Sequence, residues 1–329
     1  MTLTKTMIRG TGYALPSQIV TNEDLSKRVD TSDEWIRTRT GIEERRIAPP
    51  GMNNSDLAIE ASRKALDAAG ITAEDLDMII VATITPDMVF PATACLVQHA
   101  LGAKHAATFD LEAACSGFIY GLSVARQYIA TGEYKNVLVV ASEVLSRITD
   151  WTDRSTCVLF GDGAGAAILS AAEEGESDFL SFFLGGDGKY SEILNMPAGG
   201  TRKPASHETV DAQEHSMKMN GPEVFKAAVM KMNHSMRAVL KKAGYESQAI
   251  DLVIPHQANL RIIESLRKYL DLSEDKVYVN LQKYGNTSAA SIAIALAEVI
   301  ESGRLKRGQL VGLCAFGGGL TWAACILRY

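Results

Sequence analysis

Cys115 stands in Leu111-Glu112-Ala113-Ala114-Cys115-Ser116-Gly117-Phe118, where a strand-like run hands over to a helix-like one. A helix N-terminus presents unpaired N–H groups and a partial positive charge. Both favour thiolate over thiol, so this placement is expected to lower the cysteine pKa. A thiolate is the soft nucleophile needed to take an acyl group from a thioester. His256 lies in Val253-Ile254-Pro255-His256-Gln257-Ala258-Asn259, directly after a strand that Pro255 closes. Asn286 lies in Tyr284-Gly285-Asn286-Thr287-Ser288-Ala289, where Gly285 permits an unusual backbone and Ser288 is placed to cap the next helix. Taken singly, a packed cysteine, a hydrogen-bonding histidine and a turn asparagine each have an ordinary structural role. Together, a thiolate and two neutral hydrogen-bond donors suit a reaction that forms a thioester enolate. A cysteine hydrolase would instead want a histidine base oriented by a carboxamide or carboxylate. The sequence carries no distances, so both chemistries stay open on these residues alone.

Gly317-Gly318-Gly319 follows an apolar run and either supplies a backbone oxyanion donor or makes a tight connection. Gly161-Asp162-Gly163-Ala164-Gly165 lacks the G-x-G-x-x-G spacing and runs into a strand, so it reads as a structural turn.

These segments hang on alternating strand-like and helix-like runs, which places the chain in the α/β class. The first strands read Met7–Leu15, Met78–Ile84, Thr108–Glu112, Val137–Ser142 and Ala164–Ser170, with amphipathic stretches at Ser55–Ala69 and Cys115–Thr131. Ser55 reads as an N-cap and Gly70 as a stop. The order then recurs. Gly70 and Gly244 are 174 residues apart, as are Asp77 and Asp251. The same offset carries Cys115 onto Ala289, in the opening of the helix Ser288–Ser302, and the strand Val137–Ser142 onto Val311–Phe316. An internal duplication follows, with halves at 1–174 and 175–329 divided near 171–178. Two such halves are expected to stack as a layered sandwich with central helices between sheets, placing Cys115 and Asn286 at equivalent helix ends.

The 329 residues are 47% apolar and 22% charged, with a net charge of −6, ordinary for a globular protein and without the basic face of a nucleic-acid binder. Met1 to Pro16 does not read as a signal peptide, and no apolar run approaches a membrane span. The five cysteines are scattered without a C-x-x-C pair, which argues against zinc and dithiol chemistry and for a reducing cytoplasm.

The motifs around Cys115, His256 and Asn286 resemble the Cys-His-Asn triad of the beta-ketoacyl-[acyl-carrier-protein] synthase III family. The similarity runs from Gly10-Thr11-Gly12 through Asp33-Glu34-Trp35-Ile36 to Phe316-Gly317-Gly318-Gly319. This resemblance implies the thiolase fold, an internally duplicated five-layer α-β-α-β-α sandwich. It implies the initiating condensing enzyme of type II fatty-acid synthesis, in which Cys115 takes an acyl group from acyl-CoA. His256 and Asn286 then bind the thioester carbonyl of malonyl-ACP as CO2 leaves, and the N–H groups of Cys115 and Gly318 hold the oxyanion. Trp35, Arg39, Arg154 and Asn259 match contacts to CoA, and Lys226 and Arg261 match a basic patch for the acyl carrier protein. Phe90 matches a residue that crosses a homodimer interface into the neighbour's acyl pocket, which suggests a short primer such as acetyl. No metal or redox cofactor is implied, and the cytoplasm is the implied compartment. Glu112 departs from the family pattern, and a carboxylate near Cys115 opposes thiolate formation. The rival readings are a thiolase-fold condensing enzyme of secondary metabolism with another acyl donor or acceptor, a hydroxymethylglutaryl-CoA synthase or chalcone-type enzyme, a cysteine hydrolase, and a non-catalytic binding protein.

Overall fold

Apolar runs of five to nine residues without helical periodicity become strands because only a sheet buried on both faces leaves no polar side to present to water. Met78–Ala82, for example, is buried at every position. The computed structural model describes residues 3–172 and 178–329. Its strands are β1 Thr6–Ala14, β2 Gln18–Thr21, β3 Glu44–Ile47, β4 Met78–Ala82, β5 Ala107–Leu111, β6 Asn136–Glu143, β7 Gly163–Ala171, β8 Asp178–Gly186, β9 Leu194–Asn195, β10 Lys218–Met219, β11 Leu252–Pro255, β12 Leu310–Gly317 and β13 Thr321–Arg328. The helices are α1 Asn22–Ser26, α2 Asp33–Thr40, α3 Asn54–Ala69, α4 Thr93–Leu101, α5 Gly117–Ala130, α6 His207–Asp211, α7 Gly221–Ala243, α8 Leu260–Tyr269, α9 Leu281–Tyr284 and α10 Ala290–Glu301.

Two mixed sheets form, in the orders β1-β7-β6-β4-β5 and β11-β12-β13-β8. Within each, the pairings repeat. β6 lies parallel to β4 and antiparallel to β7, as β12 lies parallel to β11 and antiparallel to β13. The bounds of β6 and β12 differ by 174 residues at both ends, the offset seen in the sequence. The proposed division at 174/175 lies outside the described residues.

Helices α5 and α10 pack between the two sheets in one apolar cluster that takes side chains from the inner faces of both. α10 is buried at nine of its twelve positions, as befits a central helix. α3 and α4 cover the outer face of the first sheet, and α7 and α8 cover that of the second. The result is the five-layer thiolase fold, and it places the carboxyl ends of β4, β6, β11 and β12 on one side. In α/β sheets that edge is where ligands bind.

Local boundaries differ from the sequence reading in informative ways. Asn53, not Ser55, caps α3, in a capping box with Asp56; Ser55 lies inside the helix and bonds Asp87. Gly70 stops α3 in the left-handed conformation at φ 64°, as expected. Ser288 does not cap α10, whose N-cap is Ala289 without a side-chain bond.

Candidate active site

A cavity of about 1450 Å³ opens at the carboxyl ends of the parallel strands and takes its walls from both halves of the chain. Cys115, His256, Asn286 and Gly317 to Gly319 all line it. Three elements bring the side chains there. Cys115 sits in a 3-10 turn, Ala114–Ser116, ahead of α5. His256 follows β11, with its N–H donating to the Cys314 carbonyl of β12 at 2.7 Å. Asn286 precedes α10 in a loop clamped at both sides: its N–H donates to the Leu159 carbonyl at 2.8 Å, and Gly161 N–H donates to its carbonyl at 3.0 Å.

Two alanine-sized constraints hold the cysteine turn. Ala114 has φ 45°, a left-handed conformation that costs a non-glycine residue energy and persists only where the surroundings enforce it. The enforcing contacts are visible: Thr321 Oγ1 donates to the Ala113 carbonyl at 2.8 Å, and Gly317 lies directly against the turn. A Cβ on Gly317 would stand 2.5 Å from the Cys115 nitrogen, so only glycine lets β12 approach that N–H. Under the 174-residue offset Ala114 corresponds to Ser288, and Ser288 also has a left-handed φ, of 49°. Both central helices are therefore entered through the same strained turn.

His256 is 2% exposed, and burial depresses its pKa to about 3, so the ring is neutral at physiological pH. Its Nδ1 meets Ser291 Oγ of α10 at 2.7 Å, and Ser291 also accepts from the Gln257 N–H. The partner is a hydroxyl, not a carboxylate. Asn286 Oδ1 accepts from the Ser288 N–H at 2.9 Å, which turns its amide NH2 toward the cavity. Both side chains are thus polar, neutral and part of one cavity wall.

The cysteine behaves differently from expectation. Burial pushes the Cys115 thiol up to about 12, opposed by Ser288 and its own backbone N–H and reinforced by the negative charge of Glu143. Desolvation is the largest cause: the packed protein around the sulfur withholds the water that would solvate a thiolate. The residue is half-buried at the cavity wall. The carboxylate that acts on it is Glu143, at the end of β6, and not Glu112, which is exposed. The sequence reading missed Glu143. Its signal was a lone charge at the end of an otherwise apolar strand run.

At the mouth, Trp35 of α2 carries the Arg39 guanidinium 5.0 Å and the Arg154 guanidinium 5.3 Å from its ring centre. Trp35 and Arg39 line the cavity, while Arg154 is tied to the Asp30 carbonyl at 2.7 Å. Asn259 caps α8 and donates to the Arg39 carbonyl at 3.1 Å, joining the two helices at the rim. Lys226 of α7 and Arg261 of α8 are both exposed, and Arg261 stacks over Phe225 beside Lys226. Phe90 is 83% exposed and is not part of its own chain's cavity wall, although Val89 is.

A duplicated α/β sandwich with a cysteine ahead of one central helix and an asparagine ahead of the other defines the thiolase-fold class. Two family models match within it: 3-oxoacyl-[acyl-carrier-protein] synthase III over residues 109–188, and the C-terminal part of the same family over residues 240–329. The beta-ketoacyl-[acyl-carrier-protein] synthase III of Caldanaerobacter subterraneus subsp. tengcongensis is 58% identical over 322 residues, covering 98% of this chain and 97% of that one. The same-named protein of Natranaerobius thermophilus is 56% identical over 324 residues, covering 98% of each. The crystal structure of 3-oxoacyl-[acyl-carrier-protein] synthase III from Aquifex aeolicus superposes with a TM-score of 0.91 at 51% identity, covering 98% of this chain and all of that one. The chain belongs to the beta-ketoacyl-[acyl-carrier-protein] synthase III family.

Proposed function

We propose that this chain catalyses the decarboxylative Claisen condensation of a short acyl-CoA, acetyl-CoA above all, with malonyl-ACP, giving 3-oxoacyl-ACP, CoA and CO2 at the start of fatty-acid synthesis. The observation that carries the reading is one cavity holding a cysteine, a buried neutral histidine and an outward-turned asparagine amide. Cys115 sulfur attacks the thioester carbonyl, and the C–S bond to CoA breaks. The N–H groups of Cys115 and Gly318 hold the oxyanion formed on the way. Malonyl-ACP then replaces CoA. As its carboxylate leaves as CO2, the electron pair moves onto the thioester oxygen, where the His256 Nε2–H and the Asn286 amide stabilise it. The enolate carbon attacks the acyl-cysteine and expels the sulfur. A hydroxyl partner on His256 suits this donor role, whereas a hydrolytic base would want a carboxylate to stabilise imidazolium.

In this reading Trp35 stacks on adenine, Arg39 and Arg154 pair with CoA phosphates, and Asn259 contacts the pantetheine arm. Lys226 and Arg261 receive the acidic carrier protein. Phe90 inserts into the acyl pocket of a second copy, so the working form is a cytoplasmic homodimer. The reaction as written calls on no metal or redox cofactor. Among the described residues no helix is long and apolar enough to cross a membrane.

The test is incubation with acetyl-CoA and malonyl-ACP, following CO2 and the mass of the carrier product, beside Cys115→Ser. Acetoacetyl-ACP from the parent protein and none from the variant is the expected result. Acylation of Cys115 without condensation would overturn the assignment in favour of an acyltransferase with another acceptor.

A further inference from the structure

α10 carries a half-buried carboxylate that no step of the proposed reaction uses. Glu298 follows Ser291 by seven residues, two turns along the same face of the helix, so the two stand about 10 Å apart along its axis. Ser291 meets His256 Nδ1 at 2.7 Å and accepts from the Gln257 N–H at 3.3 Å. Glu298 holds the segment that leads to Asn286.

Three hydrogen bonds from residues 278–284 converge on this carboxylate. The Tyr284 hydroxyl donates to Oε1 at 2.6 Å. The Asn280 amide donates to Oε2 at 2.5 Å, and the Tyr278 hydroxyl donates to the same oxygen at 3.2 Å. Tyr284 ends α9, and Gly285 alone separates it from Asn286, so the tyrosine anchors the entrance to the asparagine turn.

Gln257 closes the network on the histidine side. It directly follows His256 and is 1% exposed. Its amide NH2 donates to the Pro255 carbonyl at 2.8 Å and to the Tyr278 carbonyl at 3.1 Å, while its oxygen accepts from the Asn280 N–H at 3.0 Å. Moving such an amide leaves a buried donor or acceptor unpaired, at about 1–3 kcal/mol each, so its place is well defined. An unbroken path of hydrogen bonds therefore runs from Tyr284 through Glu298, Asn280 and Gln257 to the backbone of His256.

The first half of the chain has no counterpart. The 174-residue offset carries Glu298 onto Val124, Asn280 onto Ala106 and Gln257 onto Thr83. α5 packs between the same two sheets with an apolar side chain at that place, so a central helix does not need the carboxylate in order to pack. The network belongs to the half that supplies His256 and Asn286.

We infer that Glu298 and Gln257 are positioning residues for the malonyl half of the reaction, fixing His256 and Asn286 in one relative placement so that both reach the thioester oxygen together. The inference rests on the reading above, in which those two side chains act on malonyl-ACP and Cys115 takes the acyl group. The Cys115 turn is held by other contacts, the Thr321 hydroxyl on the Ala113 carbonyl and the close approach of Gly317. Loosening the network therefore slows decarboxylation and spares acylation. A misplacement of 1 Å at a group aligned with a reacting atom lowers a rate about 100-fold, which bounds the effect.

The experiment measures two single-turnover rates in the parent protein, Glu298→Gln and Tyr284→Phe. One is acetylation of Cys115 by acetyl-CoA, read by intact-protein mass; the other is CO2 release when malonyl-ACP meets the acetylated protein. Glu298→Gln keeps the side chain's size but turns an NH2 toward groups that themselves donate. CO2 release should fall about 10- to 100-fold while acetylation stays close to the parent rate. Added to a protein already carrying His256→Ala and Asn286→Ala, Glu298→Gln should cost nothing further, because the groups it positions are gone. Equal losses in the two rates, no loss in either, or a further loss in that background would make Glu298 a support for the fold alone and overturn the inference. If Glu298→Gln does not fold, Tyr284→Phe, which keeps the ring and removes one bond, decides by the same split. A parent protein that neither acetylates Cys115 nor releases CO2 would instead overturn the functional reading itself.

Discussion

Replacing Gly317 by alanine tests whether the position of one backbone N–H limits the rate. The new Cβ would stand 2.5 Å from the Cys115 nitrogen, 3.1 Å from Ala114 Cβ and 3.2 Å from Cys115 Cα. Ordinary contacts lie near 3.4 Å or beyond, so the cysteine turn must retreat by roughly 1 Å. Overpacking of this kind destabilises by about 1–3 kcal/mol. A 1 Å displacement of a group aligned with a reacting atom lowers rates about 100-fold. That loss corresponds to about 2.7 kcal/mol of transition-state stabilisation. Gly188→Ala is the control, since a Cβ there meets nothing within 4 Å. The assay pairs urea unfolding with the single-turnover acetylation rate of Cys115. A folded Gly317→Ala protein that acetylates at the parent rate would refute the claim that β12 positions this N–H.

Ser291→Ala removes the hydroxyl that meets His256 Nδ1. Decarboxylation and condensation should slow about 10-fold or more, while acetylation of Cys115 stays close to the parent rate; single-turnover measurement of the two halves checks the split. Stability against pH carries two opposed slopes. His256 is depressed to about 3 from 6.5, so the unfolded chain takes up a proton the folded chain refuses, and stability falls as pH drops below 6.5. Glu143 is raised to about 7 from 4.5, so the folded chain keeps a proton the unfolded chain releases, and stability falls as pH rises through that window. Glu143→Gln removes the second slope alone. Its stability relative to the parent should climb by about 1.4 kcal/mol per pH unit across the window, measured by urea unfolding at pH 5, 6 and 7.

The order of elements, the 174-residue repeat and the three site motifs were legible in the sequence because each is a local pattern. An apolar run without helical period, a glycine after an amphipathic stretch, or Pro255 before His256 means much the same wherever the chain places it. The helix cap was misplaced from Asn53 to Ser55 because both are good caps, and only the path of the chain into α3 chooses between them. What the tertiary structure alone decided is the electrostatics of the site. The helix N-terminus argued for a thiolate at Cys115, yet burial is a property of the packed sandwich, and it pushes the thiol pKa up. Glu112 is three residues from Cys115 in sequence and exposed, whereas Glu143 is 28 residues away and acts on the sulfur, because β6 ends where the pseudo-symmetry of the halves brings it beside α10. Ser288 looked like an ordinary helix-start serine, and that Ser291 meets His256 is decided by the packing of α10 against the end of β11. Sequence encodes which residue types occur and how they are spaced along one dimension; desolvation and through-space charge depend on what crosses that spacing, and only the assembled layers determine it.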